Sequence, residues 1–447
     1  MIPWTLDEVA ALTNGRLLRG NGKERVTGVS HDTRSLNKGD LYVAIVGRRL
    51  DGHRFLKEAA RKGAKAALVS RFVPGNGLPQ IRVADTTRAL GELGRSQRLQ
   101  WDGPVVAVTG SVGKTTVKDM TAHLLSGKMR TLRSEGNLNN HWGLPLTLLR
   151  LTSGHQAAVV ELGINHPGEM EWLSEVARPD VAVVTAIGEA HLGFFEGKRQ
   201  LAKEKLRIGT ALREGGKMVL NADDTFLAGA GKNAVTFGLK LGQVRAKKVQ
   251  ADGLGSQFLL AAQGQEIPTR LSVPGRHNVT NALAAVSAGL ALGLPLKYMA
   301  QRLKSFRSLS PMRMEIKNVR GILFLNDAYN ASPTSMEAAL TTFKDLKGPK
   351  RKIAVLGDML ELGDHTQESH ERIVRKALEL KCHTLLLVGK AMGAAAKDTQ
   401  DRSMEKIQLF DQAQDARTFL KGIARKGDAV LLKGSRGMRL EKVLEDF

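Results

Sequence analysis

Residues 105–120, VVAVTGSVGKTTVKDM, run from an apolar β-like segment through a glycine turn into a helix-like segment. Gly110 and Gly113 bracket the turn, and a cation and two hydroxyls follow it: Lys114, Thr115 and Thr116. Such a turn binds phosphate because backbone N–H groups and the positive end of the helix dipole face the anion. The standard pattern GxxxxGK[ST] needs a glycine where this chain has Val108. The stretch therefore predicts a shortened phosphate-binding loop between a strand and a helix.

Length and composition indicate a globular protein of several domains. The chain has 447 residues, 42% hydrophobic and 25% charged, which corresponds to about three domains at roughly 150 residues each. A single cysteine, Cys382, excludes a disulfide framework within the chain and favours a reducing compartment. No apolar run approaches the ~18 residues of a membrane span, and the N-terminus, with Thr5 and Glu8 as a capping box, does not resemble a signal peptide. We expect a cytoplasmic protein with a passive, buried Cys382.

The charge is strongly basic, with 67 Lys and Arg against 44 Asp and Glu and a formal net charge of +23. A solvated basic surface, attraction to an anionic substrate and attraction to nucleic acid all fit this balance. The basic residues are scattered, and only 4% of residues are aromatic, which leaves few stacking platforms for single strands. A nucleic-acid partner is therefore not expected, although the charge alone decides nothing.

The order of apolar runs predicts an α/β fold. Short β-like runs alternate with helix-like segments in three blocks, residues 1–100, 101–309 and 310–447. Most runs in the second block end in Gly, Asp, Glu or His, which is typical of a parallel sheet with its site at the carboxyl ends of the strands. Residues 235–272 depart from this rhythm and predict an antiparallel excursion to which we assign no role.

Several side chains near these strand ends are candidates for chemistry. Glu161 ends the run AAVVE, where it either holds a metal ion or faces solvent, and His191 follows the next run as a structural residue or a ligand. Lys205 shares a helical stripe with Leu201 and Ile208, whereas Lys203 falls on the other side. A lysine within an apolar stripe needs a partner or a chemical change, unless it extends its ammonium to the surface.

Further candidates lie downstream, where single turn residues and helix caps would explain each position taken alone. They are His277, Asn278 and Asn281 at a helix start, Arg313 in PMRMEI, and Asp327, Tyr329 and Asn330 in NDAYN.

Taken together, these segments resemble the Mur ligases. TGSVGKTT, AVVELG, GEAHL, AKEKL, GRHNVTNALAA and NDAYN occur in the order of that family across most of the chain. SHDTRSLNKGDLYVAIVGRRLDGHRF, EGNLNNHWGLPLTLLRL, NDAYNASPTSMEAAL, VLGDMLELGDH and LLKGSRGMRLEKV resemble the branch that adds D-alanyl-D-alanine to UDP-N-acetylmuramoyl-tripeptide. The DNPR-type motif of the relatives that add the third peptide residue is absent. The shortened loop is the form that the family uses.

The resemblance implies three domains and an ATP-dependent reaction that passes through an acyl phosphate. A small α/β uridine-nucleotide domain (1–100) would precede a central P-loop-type parallel-sheet ATPase domain (101–309) and a C-terminal Rossmann-like α/β domain (310–447). It also implies ATP, two Mg²⁺ ions, a carbamylated Lys205 formed with CO₂, and a monomer. The third residue of the acceptor peptide, diaminopimelate or lysine, stays open.

The resemblance assigns the residues of the site to four groups. Catalytic roles fall to Lys114, Glu161, His191 and Lys205, and metal binding to Thr115, Glu161 and His191. ATP would contact Thr109, Gly110, Ser111, Gly113, Lys114, Thr115, Thr116, Asn278, Asn281, Arg313 and Asp327. The substrates would contact Ser30, Asp32, Thr33, Arg34, Asp51, His53, Asn137, Asn139, Asn140, Tyr329 and Asn330.

Two other functions share part of this pattern. Folylpolyglutamate synthesis uses the same loop, glutamate, histidine and modified lysine, but its enzymes lack the N-terminal uridine-nucleotide domain. A nucleic-acid-stimulated P-loop ATPase would fit the charge and an acid at Glu161, but it would be expected to have the full loop pattern and would not explain NDAYN or AKEKL.

Overall fold

The structure is a computed structural model that describes residues 3–47, 49–189, 192–231, 233–380, 382–398, 407–445 and 447. His191, one of the predicted metal ligands, lies outside the described residues. Within the described residues, no helix is both long and apolar enough to cross a membrane.

The N-terminal unit is a small α/β sheet with strand order β2-β7-β6-β5-β4. Parallel pairing joins β4 to β5, β5 to β6 and β6 to β7, and β2 adds an antiparallel edge. The elements are β1 (Trp4–Thr5), α1 (Leu6–Leu12), β2 (Arg16–Arg19), β3 (Arg25–Val26), β4 (Gly28–Ser30), β5 (Asp40–Val43), α2 (Leu56–Arg61), β6 (Ala66–Val69), β7 (Gln80–Arg82) and α3 (Thr86–Gln100), with a 3₁₀ turn at Gly52–Phe55.

The central unit is a wider sheet with strand order β16-β15-β14-β13-β12-β11-β8-β10-β9. Its strands are β8 (Val105–Thr109), β9 (Thr131–Arg133), β10 (Ala157–Glu161), β11 (Val181–Val184), β12 (Lys217–Asn221), β13 (Val235–Gly238), β14 (Val244–Ala251), β15 (Ser256–Ala262) and β16 (Gln265–Leu271). Its helices are α4 (Lys114–Ser126), α5 (Gly143–Leu148), α6 (Glu169–Ala177), α7 (Lys198–Leu206), α8 (Arg276–Ala291) and α9 (Leu296–Ser305), with 3₁₀ turns at Leu192–Phe194 and Arg207–Gly209.

The C-terminal unit is a third sheet with strand order β17-β18-β22-β19-β20-β21. Its strands are β17 (Glu315–Val319), β18 (Ile322–Asn326), β19 (Lys352–Gly357), β20 (Thr384–Val388), β21 (Ile407–Phe410) and β22 (Ala429–Lys433). Its helices are α10 (Pro333–Asp345), α11 (Thr366–Glu379), α12 (Lys390–Asp398) and α13 (Ala413–Ile423), with 3₁₀ turns at Gly363–His365, Arg436–Met438 and Leu440–Leu444. Apart from β17, the strands pair in parallel.

The packing explains why the parallel strands are apolar throughout. Side chains alternate between the two faces of a strand, and both faces of β8 are covered: Val106 and Val108 pack into the cluster with α4 and α8, whereas Val105 and Ala107 pack into the cluster with α5 and α6. A parallel sheet with helices on both faces opens its binding site at the carboxyl ends of the strands.

Local predictions from the sequence can be compared directly with this fold. The capping box is confirmed, since Glu8 N donates to Thr5 Oγ1 at 3.2 Å and Thr5 N donates to Glu8 Oε2 at 2.6 Å. Cys382 is buried, and burial raises the pKa of its thiol to about 11. The antiparallel excursion is confirmed for β14, β15 and β16, but β13 continues the parallel sheet beside β12.

Candidate active site

The phosphate-binding loop lies at the carboxyl end of β8. Gly110 and Gly113 have φ of +146° and +84°, in the region that favours glycine, and Gly113 caps α4. A Cβ on Gly110 would overlap Thr185 Oγ1, and one on Gly113 would press on Asn281 Oδ1. Both glycines are therefore required by backbone shape and by space, and the loop presents the free N-terminus of α4 to the cavity.

Lys114 folds back over the loop that it follows. Its Nζ donates to the carbonyl oxygens of Gly110 at 2.8 Å and Ser111 at 3.3 Å. Burial lowers the pKa of its ammonium, Glu161 opposes that effect and Arg313 adds to it. The ammonium is thus held within the loop where the terminal phosphates of a nucleotide would lie.

Glu161 is buried at the end of β10 beside the loop. Thr115 Oγ1 donates to its Oε2 and Asn139 Nδ2 donates to its Oε1, both at 2.8 Å, and the side chain is 3% exposed. The interpretation of Glu161 as a strand-end acid facing solvent is therefore wrong. Adjacent hydroxyl and carboxylate oxygens are the ligand type that Mg²⁺ prefers, with water and phosphate completing its shell. The described residues contain no cluster of three or more His, Cys, Asp or Glu side chains suited to a metal.

Lys205 lies inside the apolar stripe of α7, while Lys203 is exposed, which is the arrangement that the stripe predicts. Lys205 is 1% exposed. Burial lowers the pKa of its ammonium well below the usual range, and the nearby charge of Lys114 lowers it further, against a smaller opposing effect of Glu204. A neutral amine is therefore favoured close to Lys114.

The C-terminal unit supplies the opposite wall. The Arg313 guanidinium lies 4.1 Å from the ring centroid of Tyr329, and the methionines on either side, Met312 and Met314, both have left-handed backbones with φ of +57° and +48°. Asp327 pairs through Oδ2 with Lys433 Nζ at 2.7 Å. Non-glycine residues at positive φ cost energy and cluster at functional sites, and here they hold Arg313 toward the phosphate loop.

These elements enclose a cavity of about 450 Å³, a size typical of ligand sites. The predicted residues that line it are Ser111, Gly113, Lys114, Thr115, Thr116, Asn137, Asn139, Asn140, Glu161, Asn278, Asn281, Arg313, Asp327, Tyr329 and Asn330. We call it the catalytic cavity. Residues of the C-terminal unit already share it with the phosphate loop.

Other predicted residues do not line the cavity. Thr109 is fully buried, and its hydroxyl donates to the Leu162 carbonyl at 2.8 Å. This side chain therefore packs inside the unit, next to the loop, and does not face the cavity. The prediction that Thr109 contacts ATP is not supported for its side chain. Gly110 and Lys205 are not among the lining residues, although Gly110 directly precedes Ser111 and Lys205 is close enough to Lys114 for that charge to lower its pKa.

The predicted uridine-nucleotide residues lie away from this cavity, in the N-terminal unit. Arg34 forms a bidentate ion pair with Asp32, in which Nη2 lies 2.6 Å from Oδ2, and this pair lowers the Asp32 pKa to about 2. His53 Nδ1 lies 2.7 Å from Asp51 Oδ1 and His53 Nε2 accepts from Ser70 N at 3.0 Å.

One buried side chain connects these two groups. Burial raises the pKa of Tyr42 to about 12, and the charges of both Asp32 and Asp51 add to that effect. Ser30 Oγ donates to the Asp32 carbonyl at 2.9 Å, and Lys62 Nζ donates to the Thr33 carbonyl at 2.8 Å. Tyr42 therefore lies near both carboxylates, Asp32 and Asp51, whereas Ser30, Thr33 and His53 are themselves buried.

Sequence reasoning missed part of the catalytic cavity. Lys433 is 2% exposed and also donates to the Asn330 carbonyl at 2.7 Å. The N-cap and first turn of α10 add three hydroxyl side chains: Ser332, Thr334 and Ser335. Lys433 ends the apolar strand β22 just as Glu161 ends β10, so its position at the end of an apolar run is the signal that would have identified it. His277, noted at the start of α8, also lines the cavity.

Three segments match described domains of one family. Residues 25–98 match the Mur ligase family, catalytic domain; residues 108–289 match the Mur ligase middle domain; residues 312–436 match the Mur ligase, glutamate ligase domain. The chain belongs to the Mur ligase family, whose members are ATP-dependent, ADP-forming ligases.

Full-length relatives define the likeness more narrowly. The chain is 36% identical to UDP-N-acetylmuramoyl-tripeptide–D-alanyl-D-alanine ligase of Bacillus subtilis (strain 168), over 100% of this chain and 99% of that protein. It is similar to a crystal structure of MurF from Acinetobacter baumannii, with a TM-score of 0.92, 33% identity and coverage of 99% and 98%. It is also similar to the MurF ligase of Thermotoga maritima in complex with ADP, with a TM-score of 0.84, 29% identity and coverage of 94% and 96%.

Proposed function

We propose that this chain joins D-alanyl-D-alanine to UDP-N-acetylmuramoyl-tripeptide at the expense of ATP, forming the UDP-N-acetylmuramoyl-pentapeptide for peptidoglycan synthesis. The observation that carries the proposal is the catalytic cavity, in which a phosphate loop and Glu161 face Arg313, Asp327 and Tyr329 across one volume. The full-length likeness to ligases of that name supports the choice of substrates.

The chemistry requires a phosphoryl group to move between two anions. The terminal carboxylate of the tripeptide attacks the γ-phosphate to give an acyl phosphate and ADP, and the amine of D-alanyl-D-alanine then displaces phosphate. Phosphoryl transfer depends on positioning and charge stabilisation. Lys114 and the N-terminus of α4 hold the phosphates, and Arg313 adds positive charge from the opposite wall.

Thr115 and Glu161 would hold magnesium beside the phosphates, together with His191 by resemblance, for two ions in all. When bound, the metal supplies charge neutralisation between phosphate and carboxylate. Asn139 orients the Glu161 carboxylate for this role through its 2.8 Å hydrogen bond. Asn278 and Asn281 lie on the adenine side, where Asn281 Nδ2 donates to Asn278 Oδ1 at 2.9 Å and fixes both amides.

Lys205 is proposed to be carbamylated. A neutral lysine amine adds to CO₂, and loss of one proton leaves a carbamate anion in place of a cation. The buried setting of Lys205 next to Lys114 favours this change, because it favours the neutral amine that adds to CO₂ and the resulting carbamate anion would attract the Lys114 ammonium. The carbamate would then lie near Lys114 as a buried anion.

The remaining assignments complete the proposal. Residues 1–100 form the uridine-nucleotide domain, with Ser30, Asp32, Thr33, Arg34, Asp51 and His53 at the nucleotide. Residues 101–309 form the ATP domain, and 310–447 the domain that closes on ATP and places D-alanyl-D-alanine at Tyr329 and Asn330. The enzyme acts as a monomer in the cytoplasm, which supplies ATP and both substrates.

Phosphate release tests the proposal directly. ATP would be combined with UDP-N-acetylmuramoyl-tripeptide, in its diaminopimelate and lysine forms, with and without D-alanyl-D-alanine. We expect sustained release that requires both partners, and a product heavier by one dipeptide. Phosphate release that does not depend on either substrate but is stimulated by DNA or RNA would overturn the proposal.

A further inference from the structure

A second cavity of about 400 Å³ lies between α3 of the N-terminal unit and α6 of the central unit. None of the residues assigned above to ATP, metal or substrate lines it. The side chains that matter for its chemistry are Arg88, His141, Glu169 and Trp172. We call it the side cavity.

The side cavity shares a wall with the catalytic cavity. Gly163 lines both of them, and it follows Glu161 by two residues after the end of β10. Asn140 lines the catalytic cavity and the next residue, His141, lines the side cavity. A group bound beside Glu161 therefore has the side cavity as its immediate neighbour, and the side cavity is built without residues of the C-terminal unit.

The side cavity carries one cation and one anion. The Arg88 guanidinium carbon lies 5.3 Å from the ring centroid of Trp172, and no carboxylate in the described part of the chain forms an ion pair with it. Glu169 Oε2 accepts from Asn165 N at 2.7 Å and His166 N at 3.1 Å. Its Oε1 lies 3.2 Å from His166 Nδ1, so a bound ammonium would share this oxygen with the His166 ring. Burial would raise the Glu169 pKa, but these hydrogen bonds and His166 lower it, so the group stays a carboxylate.

The remaining polar groups around the side cavity are neutral or already paired. Burial lowers the pKa of His141, against smaller effects of Glu169 and Asp85, so its imidazole is neutral near pH 7. Asp85 caps α3 by accepting from Thr87 N and Arg88 N. Glu204 likewise accepts from Gly168 N at 2.8 Å and Met170 N at 3.1 Å at the start of α6. Anion recognition therefore falls to Arg88 and cation recognition to Glu169.

We propose that the side cavity binds the side chain of the third residue of the acceptor peptide and fits a zwitterionic end, carboxylate to Arg88 and ammonium to Glu169. This inference rests on the proposed function. The reacting carboxylate belongs to the third residue and must lie beside Lys114 and Glu161, so the side chain of that residue has to leave from that point. Diaminopimelate carries both an ammonium and a carboxylate at its far end, whereas lysine carries only an ammonium and leaves Arg88 unpaired.

The test compares kcat/KM for the diaminopimelate and lysine forms of UDP-N-acetylmuramoyl-tripeptide, at saturating ATP and D-alanyl-D-alanine, using the full-length enzyme. Arg88→Met keeps an apolar stem over Trp172 and removes the charge. Arg95→Met is the matched control, because Arg95 is on the same helix, 42% exposed and paired with Glu92. Equal midpoints of thermal unfolding would show that both variants are folded.

We expect the wild type to prefer the diaminopimelate form. Arg88→Met should lower kcat/KM for that form by about 10-fold to 100-fold, mainly through KM, because it removes a hydrogen bond between charged groups. The lysine form and the Arg95→Met control should be almost unchanged, whereas Glu169→Gln should weaken both forms.

The contrary outcomes separate the inference from the function. The inference would be overturned if the wild type preferred the lysine form or did not discriminate between the two forms. It would also be overturned if Arg88→Met lowered kcat/KM equally for both forms. Either result would leave the proposed function standing. A wild type that turns over neither form would overturn both.

Discussion

Arg372 of α11 donates through Nη2 to Glu189 Oε2 at 2.7 Å, and this ion pair joins the C-terminal unit to the loop that follows β11. Lys198 binds the other oxygen of the same carboxylate at 3.1 Å. The pair therefore stabilises the arrangement in which Arg313 and Asp327 face the phosphate loop.

Arg372→Ala should weaken closure of the C-terminal unit without unfolding it. Partly exposed ion pairs contribute about 0–1 kcal/mol, so KM for ATP should rise by about twofold to fivefold. Added salt should weaken ATP affinity more in the wild type than in the variant, because only the wild type has the ion pair to screen. Steady-state kinetics at low and high ionic strength provide the measurement. Arg375→Ala, which removes a pair within the same helix, is the control, and equal effects of both variants would contradict the prediction.

Asp119→Asn should destabilise the protein, because Asp119 holds three partners in a buried site behind the phosphate loop. Its carboxylate lies 3.1 Å from Lys118 Nζ and from Arg133 Nη1, and it accepts from Ser310 Oγ at 2.6 Å. Removing one partner of a buried pair costs about 3–5 kcal/mol. Urea unfolding should show this loss, and Ser310→Ala should cost about 1 kcal/mol. A loss for Asp119→Asn no greater than that for Ser310→Ala would refute it.

Gly110→Ala should weaken phosphate binding, because the added Cβ would overlap Thr185 Oγ1. The loop must shift, and ADP affinity measured by calorimetry should fall about tenfold or more. Gly215→Ala is the matched control, since Gly215 also has positive φ, at +74°, but has open space around it. Gly215→Ala should lose about 1–2 kcal/mol of stability and keep its ADP affinity. Undiminished ADP binding by Gly110→Ala would contradict the role of the loop in binding phosphate.

Lys205→Ala should lose most of its activity, by about 10-fold to 100-fold, and should recover in part when a short-chain carboxylate such as formate is added. The added anion would replace the carbamate, whereas ADP binding should change little. Lys203→Ala, two residues away and exposed, should be fully active. Unimpaired turnover by Lys205→Ala, measured as phosphate release with both substrates, would exclude the carbamylation proposal.

Asp32 should make stability depend on pH in the acid range. Its folded pKa of about 2 lies below the unfolded value of about 3.9, so its contribution is complete above pH 4 and is lost as pH falls through about 2. The Asp32→Asn variant should be less stable than the wild type at pH 7, and the difference should shrink by pH 2.5. Thermal unfolding of both proteins across this range is the measurement, and a constant difference would show that Arg34 does not act through the Asp32 charge.

Much of the fold follows from local signals in the sequence. The apolar runs of the parallel strands, the glycine turn after β8 and the stripe of α7 are all local patterns, and each is present in the structure. β17 and β21 have no continuous apolar run that would predict a buried strand, because β17 is largely exposed and β21 is interrupted by Gln408.

The site was predictable only where a residue type carries its own chemistry. Glu161 and Lys205 stand out as charges in apolar surroundings, and the loop stands out through its glycines. The side cavity had no such signal, because Arg88 and Trp172 lie 84 positions apart in the chain and meet only through the packing of α3 on α6. Pairing of that kind depends on tertiary structure and leaves no periodic trace.

Gly163, as the wall common to the two cavities, also makes them a bivalent target for inhibitors. A single molecule with an anion for the phosphate loop and a zwitterionic head for Arg88 and Glu169 would make its second contact at an effective concentration in the millimolar range for a short linker. One end would occupy the site of the ATP phosphates and the other end the proposed site of the acceptor peptide. A higher concentration of one substrate alone would therefore compete with only one end of the molecule.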